Sequence, residues 1–382
     1  MATTETAPPA ATQPPADTPL RIRRVTAEGT LTLFGAAAGA LALDWVLYER
    51  VLPFTGVLGF WVSWYAAFLL LYTGMAALQW DQLAVRDKVA SVALSTGGIL
   101  ATAIVIDQVA YTLVRGSAAV KHPSFVTQSM AREGPLSPLG VGGVGHALVG
   151  TLEQITLATL FSVPLGIAAA VFLSEVGGRM ARPVRTIVDA MTALPDIIAG
   201  LFILAFLILT VGLPKSGFAA SLALAVTMLP IVTRASETVL RIVPGTLREA
   251  SYALGGSQWR TVLNVVLPTA RSGLATAVVL AIARGIGETA PVLLVAGYAR
   301  GLNWNAFANW QTSLPLYIFY EIQLPQINEK IRAFGGGFVL VILVLVLFTI
   351  ARRVGGAAPG QLTRRQRRRI ARQSITRERT GS

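Results

Sequence analysis

Residues 244–268 read PGTLREASYALGGSQWRTVLNVVLP, a polar interval set between two long apolar runs. The Pro244-Gly245-Thr246 break makes Thr246 a candidate N-cap, with Glu249 three residues on at the capping-box spacing. A short helix is expected to start there and to run through Ala250, Ala253 and Leu254. It should stop at Gly255-Gly256, because glycine accepts the left-handed cap conformation. A helix this short is unstable alone and needs a surface to dock on, either its own neighbouring spans or another subunit.

Outward from this interval the chain is apolar. Its 382 residues are 53% hydrophobic and 13% charged, against roughly 25% charged for a soluble domain. That composition reads as an integral membrane protein. Runs long enough to cross the hydrocarbon, at about 20 residues each, lie near Thr30–Leu47, Val57–Leu78, Val89–Val114, Ala147–Leu173, Ile187–Val211, Phe218–Thr233, Ser272–Gly297 and Gly336–Ala351. The expected fold is all-α with eight transmembrane helices. Residues 1–28, Pro-rich and without apolar periodicity, read as a disordered arm; 29–84 carry two spans, 85–352 the main membrane body and 353–382 a basic tail.

Orientation follows from the lysines and arginines, which cytosolic segments retain. With both termini inside, 23 of the 32 basic residues fall on cytosolic segments and 8 on external ones, while Arg284 lies within a span. Residues 234–271 are then a cytosolic loop and 298–335 the longest external one. Trp304, Trp310, Tyr317 and Tyr320 in that external loop read as an interfacial aromatic belt. Asp44, Asp107 and Glu153 lie near span ends, where a carboxylate reaches water. The Arg364–Arg369 cluster reads as a juxtamembrane anchor to anionic lipid rather than a nucleic-acid patch.

Several chemistries are excluded. There is no cysteine, and His122 and His146 are the only histidines, so neither thiolate catalysis nor a His-rich or Cys-ligated metal site is available. The nucleotide cradle G-x-x-x-x-G-K-[ST] needs a Gly-Lys pair that the chain lacks, so any ATP hydrolysis belongs to a partner. Gly140, Gly142 and Gly145 satisfy G-x-G-x-x-G but follow a Pro-rich loop rather than a strand. Asp189 and Asp196, seven apart on one expected helix, are about 10 Å apart along its axis, too far to share a proton. No catalytic residue is assigned.

Glu249-Ala250-Ser251, with Gly255 and then Leu267-Pro268, closely resembles the E-A-A-x-x-x-G-x9-I-x-L-P loop of ABC importer permeases. Ser251 for Ala and Val265 for Ile keep size and character. Further segments narrow the resemblance to phosphate-importer permeases of the PstA type: Gly142–Thr151, Pro164–Ala169 with Leu173-Ser174-Glu175, Pro230–Glu237, Val243-Pro244 with Leu247–Ala250, and Ala283–Pro291. It covers roughly 85–352 and not the first two spans or the tail. Asp196, in Pro195–Gly200, stands where the pattern leads one to expect a serine.

An ionised side chain near the membrane midplane costs about 2.5 to 3.5 kcal/mol, so Arg284 and Glu288, spaced i, i+4, are not expected to face lipid. From the side chains alone they are either a structural ion pair or an anion site, the guanidinium offering a planar fork to a phosphate oxygen pair. The resemblance places them in a transport motif. Arg234 and Glu237 repeat the pair at i, i+3, with boundary anchoring the simpler role. The resemblance also implies a bacterial inner-membrane location, a second related permease chain, an ATPase homodimer docked at Glu249–Gly255 and an extracytoplasmic phosphate-binding protein. ATP and magnesium would sit on the ATPase, with no cofactor on this chain. Two alternatives stay open: an importer of another oxyanion such as sulfate, molybdate or phosphonate, and an ATPase-independent secondary transporter or membrane scaffold.

Overall fold

The computed structural model describes residues 27–51 and 56–355. All but the inner ends of the expected arm (1–28) and basic tail (353–382) lie outside the described residues. Those that are described form helices and loops with no strand. They divide into two compact units that meet between Ile106 and Asp107, inside one long helix.

The first unit holds α1 (Ala27–Val46), α2 (Val57–Ala77) and the start of α3 (Gln82–Val120). Ala36 and Ala40 pack on Phe68 and Tyr72, small residues on one helix letting aromatic ones on the other approach. Asp44 does not reach water as the sequence suggested. It is 2% exposed and accepts a hydrogen bond from Ser63 Oγ at 3.0 Å, because a polar group at that depth needs a partner.

In the second unit α3 is followed by α4 (Ser124–Thr127), α5 (Gly145–Val171), α6 (Ala181–Ala193), α7 (Asp196–Ile203), α8 (Gly217–Ile242), α9 (Gly245–Ala253) and α10 (Gln258–Thr261). Next come α11 (Leu267–Gly285), α12 (Ala290–Val295), α13 (Leu314–Ile322) and α14 (Ile327–Gly355). Short π-helical turns extend α5 to Val176 and α7 to Thr210, and join α10 to α11. The central pair is α5 on α8. A Cβ at Gly166 would lie 2.7 Å from Val232 Cγ1, so the two axes come as near as they do only because that position is glycine. Ala219, Ala220, Ala223, Leu224 and Met228 of α8 sit at the centre of the main core.

Seven helical stretches are long and apolar enough to cross a membrane, and α6 with α7 makes an eighth if the bent pair is one crossing. That pair corrects the expectation of one straight span over 187–211, since its axes differ by 104° at Leu194-Pro195. Leu194 is extended, with ψ 133°, because the residue before proline is driven out of the helical region. Asp189 and Asp196 therefore belong to different helices. The span expected over 272–297 is also broken. Its helix ends at Gly285 and resumes only at Ala290, so Arg284 stands in a last turn rather than mid-helix. In the other direction α8 runs past Thr233 to Ile242, and Arg234 and Glu237 lie within it instead of in a loop.

Candidate functional site

At one end of the second unit α9 stands almost free. None of its residues is buried, and Glu249 and Ala250 are exposed. Its start differs from the capping-box expectation. Pro244 is the N-cap, with ψ 134° and no side-chain hydrogen bond, so Gly245 opens the helix and Thr246 lies inside it. Its end matches: Gly255 has φ +78°. Ser251 shares a 2.8 Å hydrogen bond with Thr261, tying α9 to α10. Pro268 lies at the start of α11, directly after the π-helical turn that joins α10 to it, with Leu267 half-buried beside it.

What holds α9 is Arg248, which sequence reasoning passed over. Its guanidinium forks onto Glu175, at the end of α5, and donates as well to the carbonyls of Leu240 at 3.0 Å and Val243 at 2.7 Å. Below lies a small core of Leu240, Val243, Val262, Val266 and Ala270. Above, Leu254 is 90% and Trp259 64% exposed. Among the described residues nothing covers these two apolar side chains.

Glu237 is the centre of a second cluster. Its carboxylate is buried and accepts from Arg185 of α6 at 2.7 Å, Arg234 at 2.9 Å and Arg241 at 2.6 Å. Arg234 also pairs with Asp189 of α6. The i, i+3 pair expected from sequence is thus part of a five-residue network that fastens α6 to α8. Surplus positive charge offsets the burial of one carboxylate.

Arg284 meets two acids. Nη2 donates to Asp196 Oδ2 at 2.9 Å, and Nε lies 3.6 Å from Glu288 Oε1. Glu288 follows the turn after α11, so the i, i+4 spacing brings the two together without a continuous helix. The nearer partner is Asp196, at the first turn of α7, which sequence reasoning weighed against Asp189 and noted as a departure but did not pair with Arg284. An acid inside the apolar stretch 194–213 was the available signal. The guanidinium is 55% exposed while Glu288 is 15%, and among the described residues Nη1 makes no hydrogen bond. One edge of the fork is open. Beside Glu288 a small cavity of about 10 Å³, room for about one water, is lined by Gln154 and Ser313, each with a buried oxygen lacking a partner among the described residues.

A polar cluster near α13 and α14 was not legible as such. Arg332, fully buried, donates to Glu329 at 3.1 Å and to the carbonyls of Ser137, Pro138 and Val141. Glu321 accepts from the Tyr298 hydroxyl, and burial beside that carboxylate raises the Tyr298 phenol above its ordinary range. Tyr317 is no interfacial belt residue; it is fully buried, edge-on to His146 with ring centroids 5.7 Å apart. Trp304 and Trp310 do remain exposed.

The chain is similar to known transport proteins. The family described as binding-protein-dependent transport system inner membrane component matches residues 162–357. The Mycobacterium tuberculosis phosphate transport system permease protein PstA 1 is 39% identical over 284 residues, 74% of this chain and 90% of that protein. The Mycobacterium leprae PstA is 40% identical over 261 residues, 68% and 85% of the two chains. The Xylella fastidiosa PstA is 36% identical over 217 residues, 56% and 75%. Among solved structures, a chain of the inward-facing MetNI methionine ABC transporter overlaps with a TM-score of 0.45 at 24% identity, over 56% of this chain and 93% of that one.

Proposed function

The chain belongs to the binding-protein-dependent transport system inner membrane components, and from that premise we propose that it is the permease subunit through which an ATP-driven importer moves inorganic phosphate. It is a multi-pass inner-membrane protein of the ABC importer permease class. Its work is gating rather than covalent chemistry. One such half does not enclose a pore, so a second, related permease chain completes the pathway. An ATPase homodimer, carrying ATP and magnesium, docks on α9 from the cytosol, and an extracytoplasmic binding protein delivers phosphate at the opposite face. Residues 85–352 form the importer body, to which the spans of 29–84 are an addition.

The observation that carries this reading is the exposed α9, held from beneath by Arg248 and Glu175 and presenting Leu254 and Trp259 outward. A helix too short to persist alone is here fixed to its own spans at its base and left open on its outer face, the geometry a partner groove requires. The open edge of Arg284 supplies a planar donor pair for an oxyanion on its way through.

The test is uptake of radiolabelled phosphate by cells that lack other phosphate importers and express the chain with its neighbouring subunits. Uptake that needs ATP and is untouched by excess sulfate, molybdate or phosphonate supports the reading. Uptake abolished by one of those anions would reassign the substrate, and uptake indifferent to Glu249 and Gly255 substitutions would remove the ATPase.

A further inference from the structure

Asp196 and Glu288 face Arg284 from two elements pressed together. Asp196 opens α7 directly after Pro195, and Glu288 lies two residues before α12. Behind them a Cβ at Gly200 would come within 2.7 Å of Pro291 Cα, so α7 and α12 touch backbone to backbone and neither carboxylate has room to draw away with its helix. Three formal charges meet here, one positive and two negative. Among the described residues Arg284 and Asp196 are the charged groups that act on Glu288.

We propose that Asp196 is a specificity-determining residue, which together with Glu288 makes the Arg284 site admit an oxyanion that carries its own protons and turn back one that carries none. This rests on the reading that phosphate passes Arg284. Carboxylates are acceptors only, and a guanidinium is a donor only. Dihydrogen phosphate offers two bare oxygens for the guanidinium edge and two hydroxyls, one for each carboxylate. Sulfate and molybdate at neutral pH present four bare oxygens. Against Asp196 and Glu288 these set lone pair against lone pair and like charge against like charge, with no donor to intervene. Discrimination of this kind comes from the repulsive element as much as from the attractive one. Asp196 is that element, standing beside the edge of Arg284 that is open.

The binding protein chooses which anion it delivers, so the test leaves it out. Radiolabelled phosphate is equilibrated by dialysis with the purified permease–ATPase complex, with and without excess sulfate, across a pH series spanning the second ionisation of phosphate. In the wild type sulfate should fail to displace phosphate, and affinity should fall at least about tenfold as the second proton is lost, like charges being forced together. In Asp196→Asn, whose amide donates, sulfate should displace phosphate and the pH response should flatten. Asp196→Ser, smaller and neutral, should do the same and guards against a folding defect of the first variant. Sulfate displacing phosphate equally from wild type and variants, or from none of them, overturns the role of Asp196. If wild type retains no phosphate, or Arg284→Gln retains as much as wild type, the passage of phosphate by Arg284 is itself wrong and the role of Asp196 falls with it.

Discussion

Arg248 holds Glu175 by two hydrogen bonds, Nε to Oε2 at 3.0 Å and Nη2 to Oε1 at 2.7 Å, across 73 positions of sequence. This pair joins the end of α5 to α9, so any push on α9 is delivered to the helix packed along the centre of the bundle. The Gln258 side chain adds a third tie, donating to the Glu175 carbonyl.

Removing one partner of a buried pair strands the other charge at a cost of about 3 to 5 kcal/mol, and Glu175 is 5% exposed. Arg248→Gln should therefore loosen α9 and lower the amount of ATPase that co-purifies. Glu175→Gln should do the same, and the double variant should recover part of the loss. Equal ATPase recovery from wild type and Arg248→Gln would show that the pair does not position α9.

Gly255 offers a cleaner probe of the same element. Its φ is +78° and a Cβ there would meet nothing within 4 Å, so a substitution acts through the backbone alone. Valine in the left-handed region costs about 1 to 2 kcal/mol, whereas asparagine tolerates it. Gly255→Val should release the ATPase and Gly255→Asn should retain it. ATP hydrolysis that still responds to substrate in an intact Gly255→Val complex would contradict the docking role.

Much of this was legible from residue types. Glycine at 255, the polar interval between apolar runs and the solitary charge at 284 each carry a local physical signature. The helix breaks were less so. Leu194-Pro195 and Gly285–Glu288 sit inside runs that hydropathy averages as continuous, and only the conformational limits of proline and glycine reveal the bend. Asp196, Arg185 and Arg248 escaped because their meaning lies in partners tens of positions away, with no spacing rule to announce them. Arg332 lies within the expected external loop 298–335, and no spacing in the sequence ties it to the three backbone carbonyls of residues 137–141 that accept its hydrogen bonds.

Topology gives a test of the broken pair. Reporters fused after Lys88, Arg182, Ser257 and Gly360 should read cytosolic, and those after Ser129 and Asn309 external, from the distribution of basic residues. Between Ser129 and Asn309 lie α5, the α6–α7 pair, α8 and α11. An external Ser129 with a cytosolic Asn309 would mean that α6 and α7 enter and leave by the same face.

The central claim is that Arg284 is the anion's contact and more than a tie between helices. Arg284→Gln alone confounds the two, because it leaves Asp196 and Glu288 facing each other unneutralised. The deciding variant combines Arg284→Gln with Asp196→Asn and Glu288→Gln, each nearly isosteric and neutral, so that no buried charge is left unpaired. Radiolabelled phosphate uptake is measured beside membrane abundance of the complex. The account predicts a complex assembled at wild-type abundance that transports no phosphate, because no guanidinium remains to replace the anion's hydration. Phosphate uptake restored in the triple variant would contradict it and leave the three residues as helix-packing partners.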